Sequence, residues 1–198
     1  MMIQAEGMKR YTPEEYLEQE VQSIERNEYI NGEVITMTGG MPNHNLIISN
    51  LNALLNFALK RQPYFVFVSD QRVWIPERKI YTYPDIFVVE GELLFQEGRR
   101  DTVINPVMVG EVLSRSTQGY DRGEKFQAYR TISGFREYVL IDQYSMLVEH
   151  FYRRESEQWI FMEYNQPEDV IRFHGVGCEV LLEDLYDKVV FESVRSDR

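Results

Sequence analysis

Residues 107–130, VMVGEVLSRSTQGYDRGEKFQAYR, join a short apolar run to a polar run with helical spacing, the signature of a buried strand followed by a helix. Glu111 stands inside the apolar run, between Val109 and Leu113. An ionised carboxylate is costly in a low-dielectric interior unless a cation or hydrogen bonds meet it. A buried arginine such as Arg72 or Arg136 would make it a structural ion pair. A functional site would use it otherwise.

Upstream, YPDIFVV (83–89) has the same character. Side chains in a strand alternate between faces, so Asp85 projects with Phe87 and Val89, and Glu111 with Val109 and Leu113. If the two strands are neighbours, their carboxylates converge and repel unless a cation lies between them. Taken alone, Asp85 also suits a backbone cap after Pro84. With oxygen ligands only, a divalent ion in this place is Mg2+, with Mn2+ as its substitute. Lys125 is the third element. The turn after Leu113 is short, Asp121 and Glu124 form an N-terminal capping pattern, and Arg122, Lys125 and Tyr129 then share one side of the helix. Two acids and a lysine are what metal-assisted phosphodiester hydrolysis needs.

Outward from this centre the chain reads as a mixed α/β fold with a helix-flanked central sheet. Thr12, Pro13 and Glu15 mark a helix start with a capping box, followed by an apolar face of Tyr16, Leu17 and Val21. Asn31-Gly32 marks a tight hairpin between Glu28–Ile30 and Glu33–Met37. The strongest helix spans about residues 43–60, with Ile47, Ile48, Leu51, Leu54, Leu55 and Ala58 on one face and His44 at its start. Strands follow at YFVFVS (64–69), RVWIP (72–76) and the two acid-bearing runs, and after the second helix at 136–142, 146–153 and 158–164. Residues 91–105 form the longest connector, a candidate mobile, partner-facing loop. GCEVLLEDLYDKVVF (177–191) reads as a strand and a short closing helix.

Composition bounds the function. The 198 residues, 43% hydrophobic and 13% aromatic, suit one domain over 1–198 with frayed ends at 1–10 and 193–198. No apolar run approaches the roughly 20 residues of a membrane helix, and no signal peptide is visible, so a cytoplasmic protein is expected. The single Cys178 excludes an internal disulfide and reads as a small buried hydrophobe. A net charge of -11 repels phosphates over the whole surface, so a nucleic-acid role needs a local patch. His150 and His174 lack metal spacing. Ser114, Ser116 and Thr117 lack a nucleophile elbow and read as turn and capping residues. Trp159, Phe161 and Tyr164 suit a core or a dimer surface.

The series YINGE, Asn43-His44 before a long helix, YPDIFVV, GEVLSRST and DRGEKFQAYRTISGFREYVLID closely resembles the Uma-type restriction-endonuclease family of the PD-(D/E)XK nuclease superfamily, over most of residues 11–191. The resemblance implies an αβββαβ core from the 43–60 helix, strands near 64–69, 82–89 and 107–114, the 121–132 helix and the 137–142 strand. It implies that Asp85 and Glu111 are the motif metal ligands. One departure stands out: the superfamily lysine belongs two residues after the acid, where this chain has Leu113, so Lys125 is read as a migrated lysine. Glu33 and His44 match positions near the family's site, for a second metal, a water or the scissile phosphate. The implied activity is Mg2+-dependent cleavage of DNA by a homodimer, two sites serving two strands. Two alternatives stay open: a non-catalytic binding or assembly module with a protein partner, favoured by the net charge and Leu113, and a metal phosphodiesterase acting on RNA or a small nucleotide.

Overall fold

The computed structural model describes residues 9–154 and 158–191. Of the ends expected to fray, all but residues 9 and 10 lie outside that range. The chain opens with α1 (Pro13–Gln22), whose capping box between Thr12 and Glu15 forms as expected. Tyr16 is buried beneath it while Val21 is left exposed. The hairpin β1 (Asn27–Ile30) and β2 (Glu33–Thr36) turns at Asn31 and Gly32 with φ of 46° and 101°. Those positive angles are what a two-residue turn demands.

Next come α2 (Pro42–Ala58), β3 (Tyr64–Val68), β4 (Arg72–Ile75), β5 (Ile80–Thr82), β6 (Ile86–Glu90), β7 (Thr102–Val103) and β8 (Met108–Leu113). A continuous helical path follows: α3 (Gln118–Tyr120), a π-helical turn (Asp121–Lys125) and α4 (Phe126–Tyr129). The remainder is β9 (Glu137–Asp142), β10 (Val148–Arg153), β11 (Trp159–Tyr164), the hairpin β12 (Val170–Phe173) and β13 (Cys178–Leu181), and α5 (Leu182–Leu185).

Two sheets share the strands. The central one has six, ordered β11-β10-β9-β8-β6-β3, with β8 and β9 parallel and the other pairs antiparallel. In chain order α2, β3, β6, β8, the 118–129 helix and β9 make the expected αβββαβ core. On one face Ile47, Leu51 and Leu55 of α2 pack with Met108, Val112, Ile141 and Leu182. On the other, Val109 and Leu113 pack with Phe87, Tyr129, Phe135 and Tyr138. Each such buried aliphatic contributes roughly 1.5–3 kcal/mol relative to leaving it in water. Gly110 faces Ile86, whose methyl would lie 2.7 Å from an added Cβ, so a larger residue at that place would force Ile86 or the strand to shift.

Three expectations are corrected. The run 82–89 is not one strand. β5 pairs with β1 and β4 in a second, five-stranded sheet ordered β2-β1-β5-β4-β7, whereas β6 pairs with β3 and β8. Tyr83-Pro84-Asp85 crosses between the sheets, where Pro84 has no N–H to give a ladder. The 91–105 connector is anchored rather than loose: Thr102 and Val103 are buried as β7, parallel to β4, and Gln96 donates to the Tyr81 hydroxyl at 2.7 Å. The second helix starts at Gln118, so Asp121 lies within it rather than capping it. Cys178 packs against the core, and burial pushes its thiol up to about 11. Among the described residues no helix is long and apolar enough to cross a membrane.

Candidate active site

Glu111 lies mid-strand in β8, 4% exposed, and its partner is Lys125. The ammonium Nζ is 3.0 Å from Glu111 Oε1, and the Tyr129 hydroxyl donates to the same oxygen at 3.1 Å. Neither arginine considered from the sequence serves: Arg72 pairs with Asp101, and Arg136 with Glu90. Lys125, 6% exposed, also stands 3.6 Å from Glu28 Oε1 and 3.6 Å from Asp121 Oδ1. The π-helical turn brings Asp121 and Lys125 inward together, the kind of local widening often found at functional sites. Tyr138 donates its hydroxyl to the Asp121 carbonyl at 3.0 Å, satisfying one backbone group of that turn. Arg122 does not share this side. It forks onto Glu149, with Nη2 2.7 Å from Oε1.

Asp85 stands where the chain crosses between sheets. Its Oδ2 accepts from the Val112 backbone N–H at 2.7 Å and lies 3.3 Å from His44 Nε2. The Asp85 N–H points back at Glu111 Oε2, 3.4 Å away. Glu28, from the hairpin, accepts from the Thr82 hydroxyl and lies 3.4 Å from the Tyr83 N–H. Four carboxylates thus gather at the seam of the two sheets around Lys125 and His44.

The charge balance shows in the titration behaviour. Burial pushes the Glu111 carboxyl up to about 8, against the pull of Lys125 and with further lifting by Asp85 and Asp121. Asp121 is likewise raised, by burial first and then by Asp85 and Glu28, against the pull of Lys125. Burial alone would lower Lys125, but Glu111 and Glu28 hold it well above its ordinary value. His44 is raised as well, since the hydrogen bond and charge of Asp85 overcome its burial.

Of the residues singled out from the sequence, Asp85, Glu111, Lys125 and His44 are brought together. Glu33 is not. It shares the hairpin face of Glu28, being paired with Ile30, but it sits exposed at the turn with no hydrogen bond or ion pair among the described residues. Glu28 takes the inward place instead; its position two residues before half-buried Ile30 was the available signal. Asp121 was legible as the acid four residues before Lys125 but reads equally well as a cap. Ser114 does serve the turn, its hydroxyl accepting from the Thr117 N–H at 3.2 Å. His150 is buried with Nε2 2.8 Å from Glu137 Oε1, away from this cluster.

Among the described residues no three acidic, histidine or cysteine side chains form a ready coordination shell. The carboxylates of Asp85 and Glu111 are linked through the backbone of the two strands, the Asp85 N–H facing Glu111 and the Val112 N–H bonding Asp85. Mg2+ is commonly held by one or two carboxylates, with water and substrate phosphate completing its octahedron. An all-oxygen donor pair and a surplus of acid over cation fit that ion.

Residues 13–181 match the family described as "Uma2: Putative restriction endonuclease". Two relatives from Synechocystis sp. (strain ATCC 27184 / PCC 6803 / Kazusa) are similar. Uncharacterized protein sll1609 is 42% identical over 82% of this chain and 92% of its own length. Uncharacterized protein slr1290 is 29% identical over 92% and 94%. Among solved structures, a protein from Anabaena variabilis ATCC 29413, described as "a putative nuclease belonging to DUF820", superposes with a TM-score of 0.73 over 91% of this chain and 99% of that one. At 19% identity this likeness speaks for the fold alone.

Proposed function

The chain belongs to the Uma2 family, and from that premise we propose that it is a Mg2+-dependent endonuclease that hydrolyses phosphodiester bonds of DNA. One observation carries the reading: four carboxylates, Glu28, Asp85, Glu111 and Asp121, meet at the sheet seam with, among the described residues, only Lys125 and His44 as counter-charges. Asp85 and Glu111 would hold the ion. When bound, it polarises the scissile phosphate and lowers the pKa of a water.

The chain's own residues supply the rest. Lys125, kept charged by its acidic neighbours, acts as a fixed cation that orients the attacking water and neutralises developing charge, not as a base. Tyr129 fixes the Glu111 carboxylate by its hydrogen bond, and the Val112 N–H fixes Asp85. His44, at the start of α2 with Nε2 on Asp85, presents its ring to the same site. Two copies would place one such site on each strand of a duplex.

A non-catalytic module remains the competing reading, because Lys125 is engaged by three carboxylates and the net charge is -11. Plasmid cleavage with Mg2+ separates the two. Asp85→Ala and Glu111→Ala are expected to lose cutting by 10³-fold or more, an order-of-magnitude figure for removing a catalytic charge, while circular dichroism stays native. Cutting retained in both variants would overturn the site assignment. No cutting by the native chain on DNA or RNA would favour the module.

A further inference from the structure

Among the described residues, few buried side-chain atoms lack a hydrogen-bond partner, and two of these belong to the candidate site: His44 Nδ1 and the Tyr120 hydroxyl. Tyr120 closes α3, directly before Asp121. An unmet buried hydroxyl costs roughly 1–3 kcal/mol, a cost phenylalanine at the same place would avoid. Retaining it calls for a compensating partner. Among the described residues none pairs with it: the nearby carboxylates take their hydrogen bonds and ion pairs from other donors, Glu111, Glu28 and Asp121 from Lys125, Glu111 also from Tyr129, Glu28 from Thr82, and Asp85 from the Val112 N–H.

Resting on the endonuclease reading above, we propose that Tyr120 is a further catalytic residue, donating its hydroxyl hydrogen bond to a non-bridging oxygen of the scissile phosphate. A phosphodiester would bring an acceptor oxygen to a hydroxyl that none of the cluster's carboxylates engages. As charge accumulates on those oxygens in the transition state, a desolvated donor with no competing partner stabilises it. Burial first, and then Glu28 and Glu111, push the phenol well up, while Lys125 pulls it down only in part. The hydroxyl therefore stays protonated at any working pH. It serves as a donor and not as a phenolate nucleophile.

Tyr120→Phe removes that one oxygen. Cleavage of a duplex oligonucleotide by the variant should show kcat reduced on the order of 10²-fold, the usual effect of one lost oxyanion donor, with KM nearly unchanged. The metal-free variant should melt at or above the native temperature, since the hydroxyl has no partner to lose. With one non-bridging oxygen replaced by sulfur at a mapped cleavage position, the native chain should distinguish the two diastereomers and Tyr120→Phe should lose part of that discrimination. A variant that cuts at the native rate overturns this proposal alone. A variant with lowered melting and unaltered diastereomer discrimination makes Tyr120 structural and overturns it too. A native chain that cuts nothing overturns the endonuclease reading, and this proposal with it.

Discussion

Pro84 separates two buried polar clusters of opposite character. On one side Arg72 donates from Nε to Thr102 at 3.0 Å, from Nη1 to Tyr83 at 3.2 Å and from Nη2 to Asp101 at 2.8 Å, while Tyr83 donates to Glu20 at 2.8 Å. Arg99 adds a second cation on Asp101, so two arginines answer two acids. On the other side Glu28, Asp85, Glu111 and Asp121 face Lys125 and His44, and two hydrogen-bonding atoms, His44 Nδ1 and the Tyr120 hydroxyl, have no partner among the described residues. The titration directions follow. A hydrogen bond from Arg99, with the charge of Arg72, holds the Asp101 carboxyl below its ordinary value, whereas burial and like charges raise Glu111 and Asp121. The first network closes its charge balance; the second is left with surplus acid, which supports the proposal that a cation binds there.

The largest effect that would break this contrast is the loss of Lys125. In Lys125→Met three buried or half-buried carboxylates face one another, and urea unfolding at pH 8 should show a loss of about 3–5 kcal/mol, the usual result of stranding buried charge. The loss should shrink at pH 5, where Glu111 can protonate. Arg72→Met should cost less, because its main partner Asp101 has a side chain 53% exposed that water can solvate. Equal costs would erase the distinction.

A smaller pair of effects has opposite signs. Glu111 has a folded value of about 8, above its ordinary 4.5, so the native state binds extra proton between those values. The stability this contributes is present at low pH and lost as pH rises through that window. Without metal, in a chelator, Glu111→Gln should therefore flatten the decline and be more stable than the native chain at pH 8 by about 1–2 kcal/mol. Asp101 is lowered, so its contribution is present above the ordinary carboxylate range and lost as pH falls through the folded value. Asp101→Asn should cost only about 0.5–1 kcal/mol at pH 7, since half of the side chain is in water, and nothing in strong acid. The same sign for both variants at neutral to alkaline pH would refute the contrast.

Much of this arrangement was legible in the residues because each legible feature had a local physical cause. Asn31-Gly32 dictates the hairpin by its positive φ, Thr12 to Glu15 dictate a helix start, and an acid enclosed by valines announces itself as Glu111 does. What was hidden depends on tertiary pairing. Alternation in 80–90 shows strand character but not that β5 and β6 join different sheets, and this crossing is what sets Asp85 beside Val112. The two-residue β7 is too short for any period to register. Choosing between Glu28 and Glu33 needed depth along the hairpin rather than its face, since both lie on one side. Taking Arg122 with Lys125 assumed a regular helix, and the π-helical turn put Asp121 there instead.

On the proposed reading, Asp85 and Glu111 hold a divalent ion at the acid-rich seam. Crystals soaked in Mn2+ test it most directly through anomalous scattering. A peak is expected within coordination distance of both carboxylates in the native chain, absent in Glu111→Gln, with Asp101→Asn leaving it in place. No peak at the seam of the native chain, or one that persists undiminished in Glu111→Gln, would contradict it.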